Sequence, residues 1–190
     1  MLAELHMRHL LGILSFIVLS GCATLSQEEC VRGDWFGLGV NDGRTGETMT
    51  RLDSHQKACM EYGIAVNSEA YFAGREQGLR EYCQLDNAFR IGLSGQPYHH
   101  VCPPSIDGLF THYYSAAYFV YEDHAELQAL DNELSSKENY LHDKKLTDKD
   151  RARIRNEISD LDRRRYRLRD DLYYHERQLD DLRREANSYR

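Results

Sequence analysis

Almost half of this chain contains hardly any of the residues that interrupt helices. No proline follows Pro104, and Gly108 is the only glycine between residues 106 and 190. Proline and glycine are the least favourable residues in a helix interior, so their scarcity predicts long, uninterrupted helices in this part. The other glycines and all five cysteines lie before it, which indicates a different kind of structure. We place the boundary near residues 103–104.

The sequence also lacks an apolar run long enough to cross a bilayer. The run at residues 10–19 falls short of the ~20 residues of a transmembrane helix but fits the ~7–15 residues of a signal-peptide core. It ends in Leu19-Ser20-Gly21-Cys22, which resembles the lipobox of bacterial lipoproteins. This resemblance implies a signal peptide over residues 1–21 and a mature chain that begins with a lipid-bearing Cys22. The alternative is an uncleaved anchor or a buried core helix.

In lipoproteins of that class the cysteine thiol carries a diacylglyceryl group, and the new amino terminus usually carries a further acyl chain such as palmitate. Stable membrane anchoring takes two signals, such as two acyl chains, so three acyl chains would make the attachment effectively permanent. Ala23, rather than an acidic residue, follows Cys22, a pattern that resembles outer-membrane lipoproteins facing the periplasm. We therefore expect a cell-envelope location, with the covalent lipid on Cys22 and no other cofactor.

Four cysteines remain once Cys22 carries lipid, and they are Cys30, Cys59, Cys83 and Cys102. An even number in an exported chain favours two disulfides. No C-x-x-C pair occurs, so we expect no metal site. Of the three possible pairings we favour Cys30 with Cys59 and Cys83 with Cys102.

Residues 105–190 show the heptad pattern of a long antiparallel helical hairpin. Thr147 and Asp150 form a helix-start signal that divides it into two arms. The second arm alternates spacings of four and three at Ile154, Ile158, Leu161, Arg165, Leu168, Leu172, His175, Leu179, Leu182, Ala186 and Tyr189. The first arm follows the same period at Val120, Leu127, Leu130, Leu134 and Leu141, with Asp123 and Lys137 between them. Such a seam predicts a coiled coil whose arms pack on each other or on a second copy.

The arginine runs of the second arm do not indicate nucleic-acid binding. Residues 148–190 contain 13 lysines and arginines against 11 acidic residues, interleaved throughout. This mixture is the ordinary solvated face of a coiled coil, whereas phosphate binding needs a concentrated basic surface. The net charge of −7 agrees, and we expect no nucleic-acid partner.

Three segments of residues 22–104 place an aromatic residue three positions before a glycine. They begin at Phe36, Tyr71 and Phe89, and further glycines follow three or four residues later. Glycines at this spacing share one helical face and let another backbone come close. We therefore predict short, tightly packed helices, with a glycine-lined ligand groove as the alternative.

These motifs also carry a resemblance to a known family. The matching positions are Cys30-Val31-Arg32-Gly33-Asp34-Trp35, Gly39, Asp42-Gly43, Gly46, Arg51, His55, Cys59, Tyr71, Gly74-Arg75-Glu76, Gly78-Leu79, Tyr82-Cys83, Phe89, Gly92, Gly95, Tyr98 and Val101-Cys102-Pro103. Residues 22–104 resemble the bacterial lipoprotein family catalogued as domain of unknown function 2799. The resemblance implies a lipid-anchored envelope protein and supplies no established activity, cofactor or catalytic set.

Few residues suggest catalysis. A possible functional cluster is Asp34, His55, Arg75 and Glu76, with Asp42 as another partner for His55. The sequence contains no G-x-S-x-G or H-E-x-x-H motif to support a hydrolase. The adjacent His99 and His100 would point in opposite directions and so make a poor metal site.

The sequence thus predicts a mainly α fold: a small, disulfide-tied domain rich in glycine and aromatic residues, followed by the helical hairpin. We expect a non-enzymatic interaction protein whose hairpin binds an envelope protein or a second copy of the chain. A small envelope enzyme or ligand-binding module that uses the possible functional cluster is the alternative.

Overall fold

The computed structural model describes residues 24–188, which form seven helices and no strand. The helices are α1 (Gln27–Arg32), α2 (Trp35–Thr45), α3 (Thr50–Met60), α4 (Ser68–Tyr82), α5 (Leu85–Leu93), α6 (Pro104–Tyr140) and α7 (Asp148–Ser188). The predicted mainly α fold is confirmed. The predicted signal peptide and lipid attachment site, residues 1–21 and Cys22, lie outside the described residues.

Helices α2 and α4 pack side by side through glycines. A β-carbon on Gly39 would lie within 3 Å of the Tyr71 carbonyl oxygen, and one on Gly43 would meet the backbone near Gly78 equally closely. The later glycine of α2 thus contacts a later part of α4, so the two helices run in the same direction. Only glycine allows two helix backbones to approach this closely, and Cα–H···O contacts accompany such approach.

Two further features shape this helix pair. Asp34 caps the start of α2, where its Oδ1 accepts a hydrogen bond from the Gly37 amide at 2.9 Å. Gly46 ends α2 in the left-handed conformation at φ 72°, which glycine adopts without backbone strain. Its Cα lies against the Tyr82 ring. The sequence thus specifies both ends of α2 as well as its contact face.

Helices α5 and α6 repeat the same arrangement on a smaller scale. Gly92 on α5 faces the backbone of Tyr114 and Tyr118 on α6, and Gly95 lies against the Tyr121 ring. These two helices also run in the same direction. The glycine pattern at Phe36, Tyr71 and Phe89 therefore marks helix contacts in two places.

Two disulfides reinforce these helix pairs. Cys30 joins Cys59 with a Cα–Cα distance of 5.5 Å, and Cys83 joins Cys102 at 5.7 Å. Cys30 and Cys59 lie in α1 and α3, and α2 falls between them; Cys83 and Cys102 lie on either side of α5, so each bond closes the chain around one helix of a pair. The predicted disulfide bonds are confirmed, in the pairing favoured from the sequence.

Buried side chains form three clusters. The amino-terminal core contains Leu25, Cys30, Trp35, Leu52, Ala58, Cys59 and Tyr71. The central core contains residues from α4 to α7, among them Tyr82, Phe89, Phe110, Tyr113, Ala117, Leu179 and Leu182. The hairpin core contains Leu130, Leu134 and Leu161. Both arms of the hairpin therefore end in the central core.

The hairpin follows the predicted seam. Arms α6 and α7 are antiparallel, with Lys137 beside Glu157 near the turn and Tyr113 beside Glu185 at the far end. The Thr147 hydroxyl accepts a hydrogen bond from the Asp150 amide at 3.2 Å and so caps α7. At 1.5 Å per residue, α7 is about 60 Å long. The predicted hairpin is confirmed.

The polar residues that interrupt the seam have partners on the opposite arm. The Nδ1 atom of His175 lies 2.6 Å from an Asp123 carboxylate oxygen, and the Lys137 ammonium donates to Glu157 at 2.8 Å. Arg165 contacts Asp131 at 3.2 Å. Each basic side chain of the seam thus contacts an acidic side chain on the opposite arm, which fixes the register of the two arms.

Candidate functional site

The amino-terminal core contains a buried polar network centred on His55 of α3. Its Nε2 atom lies 2.9 Å from Oδ2 of Asp42 on α2, and its Nδ1 atom lies 2.9 Å from the Thr24 hydroxyl. The Tyr71 hydroxyl of α4 donates to the same Asp42 oxygen at 2.7 Å. His55 is 2% exposed and Asp42 is 3% exposed. The network therefore joins α2, α3, α4 and the start of the described chain.

The network is arranged to hold a charged carboxylate. Burial raises the pKa of Asp42, but the hydrogen bonds from His55 and Tyr71 and the nearby charge of Arg51 outweigh it, so the pKa is lowered overall. Burial and the contact with Asp42 raise the pKa of the Tyr71 hydroxyl, which therefore stays protonated as a donor. An ionised Asp42 accepts from Nε2, so the Nδ1 atom of a neutral imidazole accepts from Thr24.

Two arginines lie beside this network. Arg75 donates to the Glu47 carbonyl oxygen at 2.8 Å, which ties α4 to the connection after α2. Within residues 24–188, the buried Nε atoms of Arg51 and Arg75 have no hydrogen-bond partner. Both guanidinium groups influence Tyr71 electrostatically. The region is therefore cationic around one buried carboxylate.

The four residues of the possible functional cluster have separate partners. Asp34 is an exposed helix cap, and Glu76 is exposed and pairs with Arg80 at 3.0 Å. Arg75 binds a backbone carbonyl, and His55 alone enters the buried network. The partner that the structure gives to His55 is Asp42, which the sequence offered only as another possibility.

Sequence reasoning gave no role in this network to Thr24 or to the hydroxyl of Tyr71. Tyr71 stood out only as an aromatic residue before a glycine, and nothing marked Thr24. These residues lie 29 and 31 positions from their partners in the network. The glycine pattern of α4 was an indication for Tyr71. The glycine faces of α2 and α4 pack together, and this contact brings Tyr71 close to Asp42.

A histidine between a carboxylate and a hydroxyl is also the arrangement of hydrolase triads. In those sites the hydroxyl oxygen must reach a substrate carbonyl, and a donor group must stabilise the oxyanion. Here the imidazole and the carboxylate are buried among α2, α3 and α4, and both ring nitrogens are occupied. The geometry favours a network that fixes three helices and the chain before α1.

The other histidines among residues 24–188 lie outside this network. His99 and His100 are exposed, and His100 has a φ of 52° and lies 3.5 Å from Asp107. Within residues 24–188, no group of three or more histidine, cysteine or acidic side chains is placed to hold a metal ion. Over the same residues, every helix is too short or too polar to cross a membrane.

The hairpin has an exposed aromatic surface on α7. Tyr166, Tyr173 and Tyr174 are 70%, 62% and 63% exposed. Tyr166 and Tyr173 are one heptad apart and so lie on the same face of the helix, away from the seam. Arg177 lies over the Tyr173 ring, 5.9 Å from its centre. We name these three tyrosines the tyrosine face.

A shallow groove of about 550 Å³ lies between α5 and the end of α7. Its lining includes Phe89, Leu93 and Arg183, and the Arg183 guanidinium lies 5.9 Å from the centre of the Phe89 ring. Arg183 also approaches Asp180 at 3.8 Å. Arg183 is therefore already partnered within the protein.

Comparison with known proteins identifies one family. Residues 34–119 match the family described as protein of unknown function DUF2799, and this match supports the resemblance found in the sequence. The matched segment extends from the start of α2 into the first half of α6. Neither a curated protein nor a solved structure matches the chain.

Proposed function

We propose that this chain is a lipid-anchored protein of the cell envelope that faces the periplasm and binds a partner protein through its helical hairpin, without catalysing a reaction. The sequence supports the anchor through the lipobox-like segment at Cys22. The match to a family of unknown function is compatible with this role and adds no activity. The binding function depends on the hairpin surface.

The tyrosine face is the observation that carries this proposal. Three large aromatic side chains, each more than 60% exposed, stand on one helix of a rod about 60 Å long. Tyrosine offers a large apolar surface with a polar end and loses little conformational entropy on binding, so it is enriched at protein interfaces. A mixed-charge surface surrounds it, which favours a protein partner over an anionic polymer.

The hairpin seam is occupied within the protein. Leu161 is buried in the hairpin core and Leu179 in the central core, and Ile154 is also buried. A partner therefore meets the outer surface of α7, and the seam supports that surface by keeping the rod straight. A second copy of this chain is the other occupant that the same surface would accept.

The proposal is tested by crosslinking in intact cells. A photoreactive amino acid replaces Arg169, an exposed residue between Tyr166 and Tyr173, and the adducts are identified by mass spectrometry. We expect one envelope protein, and we expect a variant with Tyr166→Ala, Tyr173→Ala and Tyr174→Ala to lose that adduct. The matched control is Phe72→Ala, which removes a 46% exposed aromatic residue from α4 and should leave the adduct unchanged.

Three results would count against the proposal in different ways. Retention of the adduct by the triple variant would show that the tyrosine face is not the binding surface. Adducts only between copies of the chain would replace the partner with self-association. A chain recovered wholly in the soluble periplasmic fraction would overturn the lipid anchor.

One observation favours a second function, a ligand-binding or enzymatic role of the amino-terminal helices. The buried Nε atoms of Arg51 and Arg75 have no hydrogen-bond partner among the described residues, which leaves two donors for an anionic ligand. Under this alternative, Arg75→Ala and His55→Ala would abolish ligand binding or activity while the crosslink from the hairpin persists. Under the leading proposal they change only stability.

A further inference from the structure

The described chain is attached to the amino-terminal core almost from its first residue. The Thr24 hydroxyl is hydrogen-bonded to buried His55, and the next residue, Leu25, is itself a buried member of that core. Ser26 then caps α1 in a reciprocal arrangement with Glu29. Three successive residues are thus held in place by the folded protein.

This attachment limits the distance between the folded core and a lipid on Cys22. Two residues of chain separate the α-carbons of Cys22 and Thr24 by at most ~7 Å in any conformation. The headgroup layer of a bilayer is roughly 5–8 Å thick on each side. Acyl chains on Cys22 that enter the bilayer therefore bring Thr24, and the protein surface beside it, to the headgroups.

Exposed apolar side chains lie beside the Cys30–Cys59 disulfide, interspersed with the exposed charged residues Arg32 and Glu61. Val31 follows Cys30 and is 69% exposed, and Met60 follows Cys59 and is 72% exposed, so the two side chains flank one disulfide. Tyr62 is exposed two residues beyond Met60. We name Val31, Met60 and Tyr62 the disulfide patch.

A shallow groove extends the disulfide patch. It has a volume of about 460 Å³ and is lined by Gln56, Met60, Gly63, Ile64, Ala65 and Val66. Ile64 and Val66 pack on the same core that holds Leu25. The groove and the attachment of the chain from Cys22 therefore belong to the same core.

We propose that the disulfide patch and this groove lie against the bilayer, so that the lipid anchor holds the protein in one orientation; the inference rests on the proposed lipidation of Cys22. Apolar side chains at a membrane surface reach ~5–10 Å into the boundary between headgroups and acyl chains, and tyrosine prefers that boundary. Burial of Val31 and Met60 there removes exposed apolar surface from water.

Depth-dependent fluorescence quenching tests the orientation. The lipidated full-length protein is reconstituted into vesicles of phosphatidylethanolamine and phosphatidylglycerol that carry nitroxide-labelled acyl chains. A tryptophan is introduced by Met60→Trp or Val31→Trp, and by Tyr166→Trp as a matched control, since Tyr166 is 70% exposed on the hairpin. The single native tryptophan, Trp35, is buried and supplies the same background in every sample.

We expect about half of the added emission at position 60 or 31 to be lost, because these side chains would reach the ~5–10 Å depth of interfacial anchors. The control at position 166 should lose none. Equal quenching at positions 60, 31 and 166 in protein that cosediments with the vesicles would overturn the orientation and leave the anchor standing. Failure of the protein to cosediment would overturn the anchor and the orientation together.

Discussion

The Asp42 carboxylate and the His55 imidazole meet at 2.9 Å in the interior, although they come from different helices and both side chains are almost fully buried. A buried carboxylate is unfavourable unless its hydrogen-bonding capacity is used. Here the contacts from His55 and Tyr71 meet that need, and Thr24 occupies the other side of the imidazole. The network consequently links Thr24, at the start of the described residues, to the packing of three helices.

Replacement of Asp42 by asparagine should change how stability depends on pH. The pKa of this carboxyl is lower in the folded than in the unfolded protein, where it is ~3.9, so its contribution is complete above pH ~4 and is lost as the pH falls through the folded value. Asp42→Asn should therefore lower the free energy of unfolding by about 2 kcal/mol at pH 7 and by progressively less below pH 4. Urea denaturation between pH 7 and pH 3 measures this difference.

The matched control for that experiment is Asp53→Asn on α3, which removes an exposed carboxylate. It should leave both the stability and its pH dependence nearly unchanged. A constant difference between Asp42→Asn and the wild type across the whole pH range would show that the folded protein does not favour the charged carboxylate.

The glycine contact between α2 and α4 predicts opposite effects of one substitution at two sites. Gly39→Ala places a β-carbon within 3 Å of the Tyr71 backbone, which cannot yield as a side chain would, so we expect a loss of about 1–3 kcal/mol. Gly108→Ala on α6 meets open space and should stabilise the helix by up to ~1 kcal/mol. Thermal melts followed by circular dichroism measure both. Equal effects of the same sign would mean that α2 and α4 do not approach through their glycines.

Removal of either disulfide should destabilise the protein without abolishing its helices. The bonds close loops of 29 and 19 residues, for which the chain-entropy account gives about 3–4 kcal/mol each. Denaturation of the variants Cys30→Ala/Cys59→Ala and Cys83→Ala/Cys102→Ala measures the losses. Peptide mapping without reduction provides the control, and a Cys30–Cys83 linkage in the wild type would refute the pairing.

Exchange of the charges of Lys137 and Glu157 should recover part of the stability that a single reversal removes, because Glu133 and Arg153 then face like charges. Lys137→Glu places a second carboxylate beside Glu157 and should destabilise the hairpin, whereas the double variant with Glu157→Lys recreates an opposite-charge pair. For partly exposed ion pairs the coupling energy is about 0.5–1 kcal/mol. A double-mutant cycle in urea measures it, and additive effects would mean that the two side chains do not interact.

The hairpin was predictable because its information is local and periodic. The seam positions from Ile154 to Leu182 repeat every seven residues, and Thr147 with Asp150 marks the start of α7 without reference to the rest of the chain. The sequence also showed that Asp123 and Lys137 interrupt the apolar seam of the first arm. Their partners His175 and Glu157 required the register of the antiparallel arms, which only the folded chain supplies.

The buried network was predictable only in part. The glycine faces of α2 and α4 indicated close contacts, but the sequence did not say which helices would meet. The link from Thr24 to His55 depends on a residue with no helical or motif signal. The grouping of Asp34, Arg75 and Glu76 with His55 came from their closeness to conspicuous motif positions, whereas helix geometry directs Asp34 and Glu76 to solvent.

Both arms of the hairpin begin or end in the same central core, where Phe110 of α6 and Leu179 and Leu182 of α7 lie together. The base of the hairpin is therefore held in the core through two helices rather than one. A force applied near its turn would bend both helices and act on the core around the Cys83–Cys102 disulfide. Such a support suits a protein that must hold its far end at a set distance and angle from the point where it is fixed.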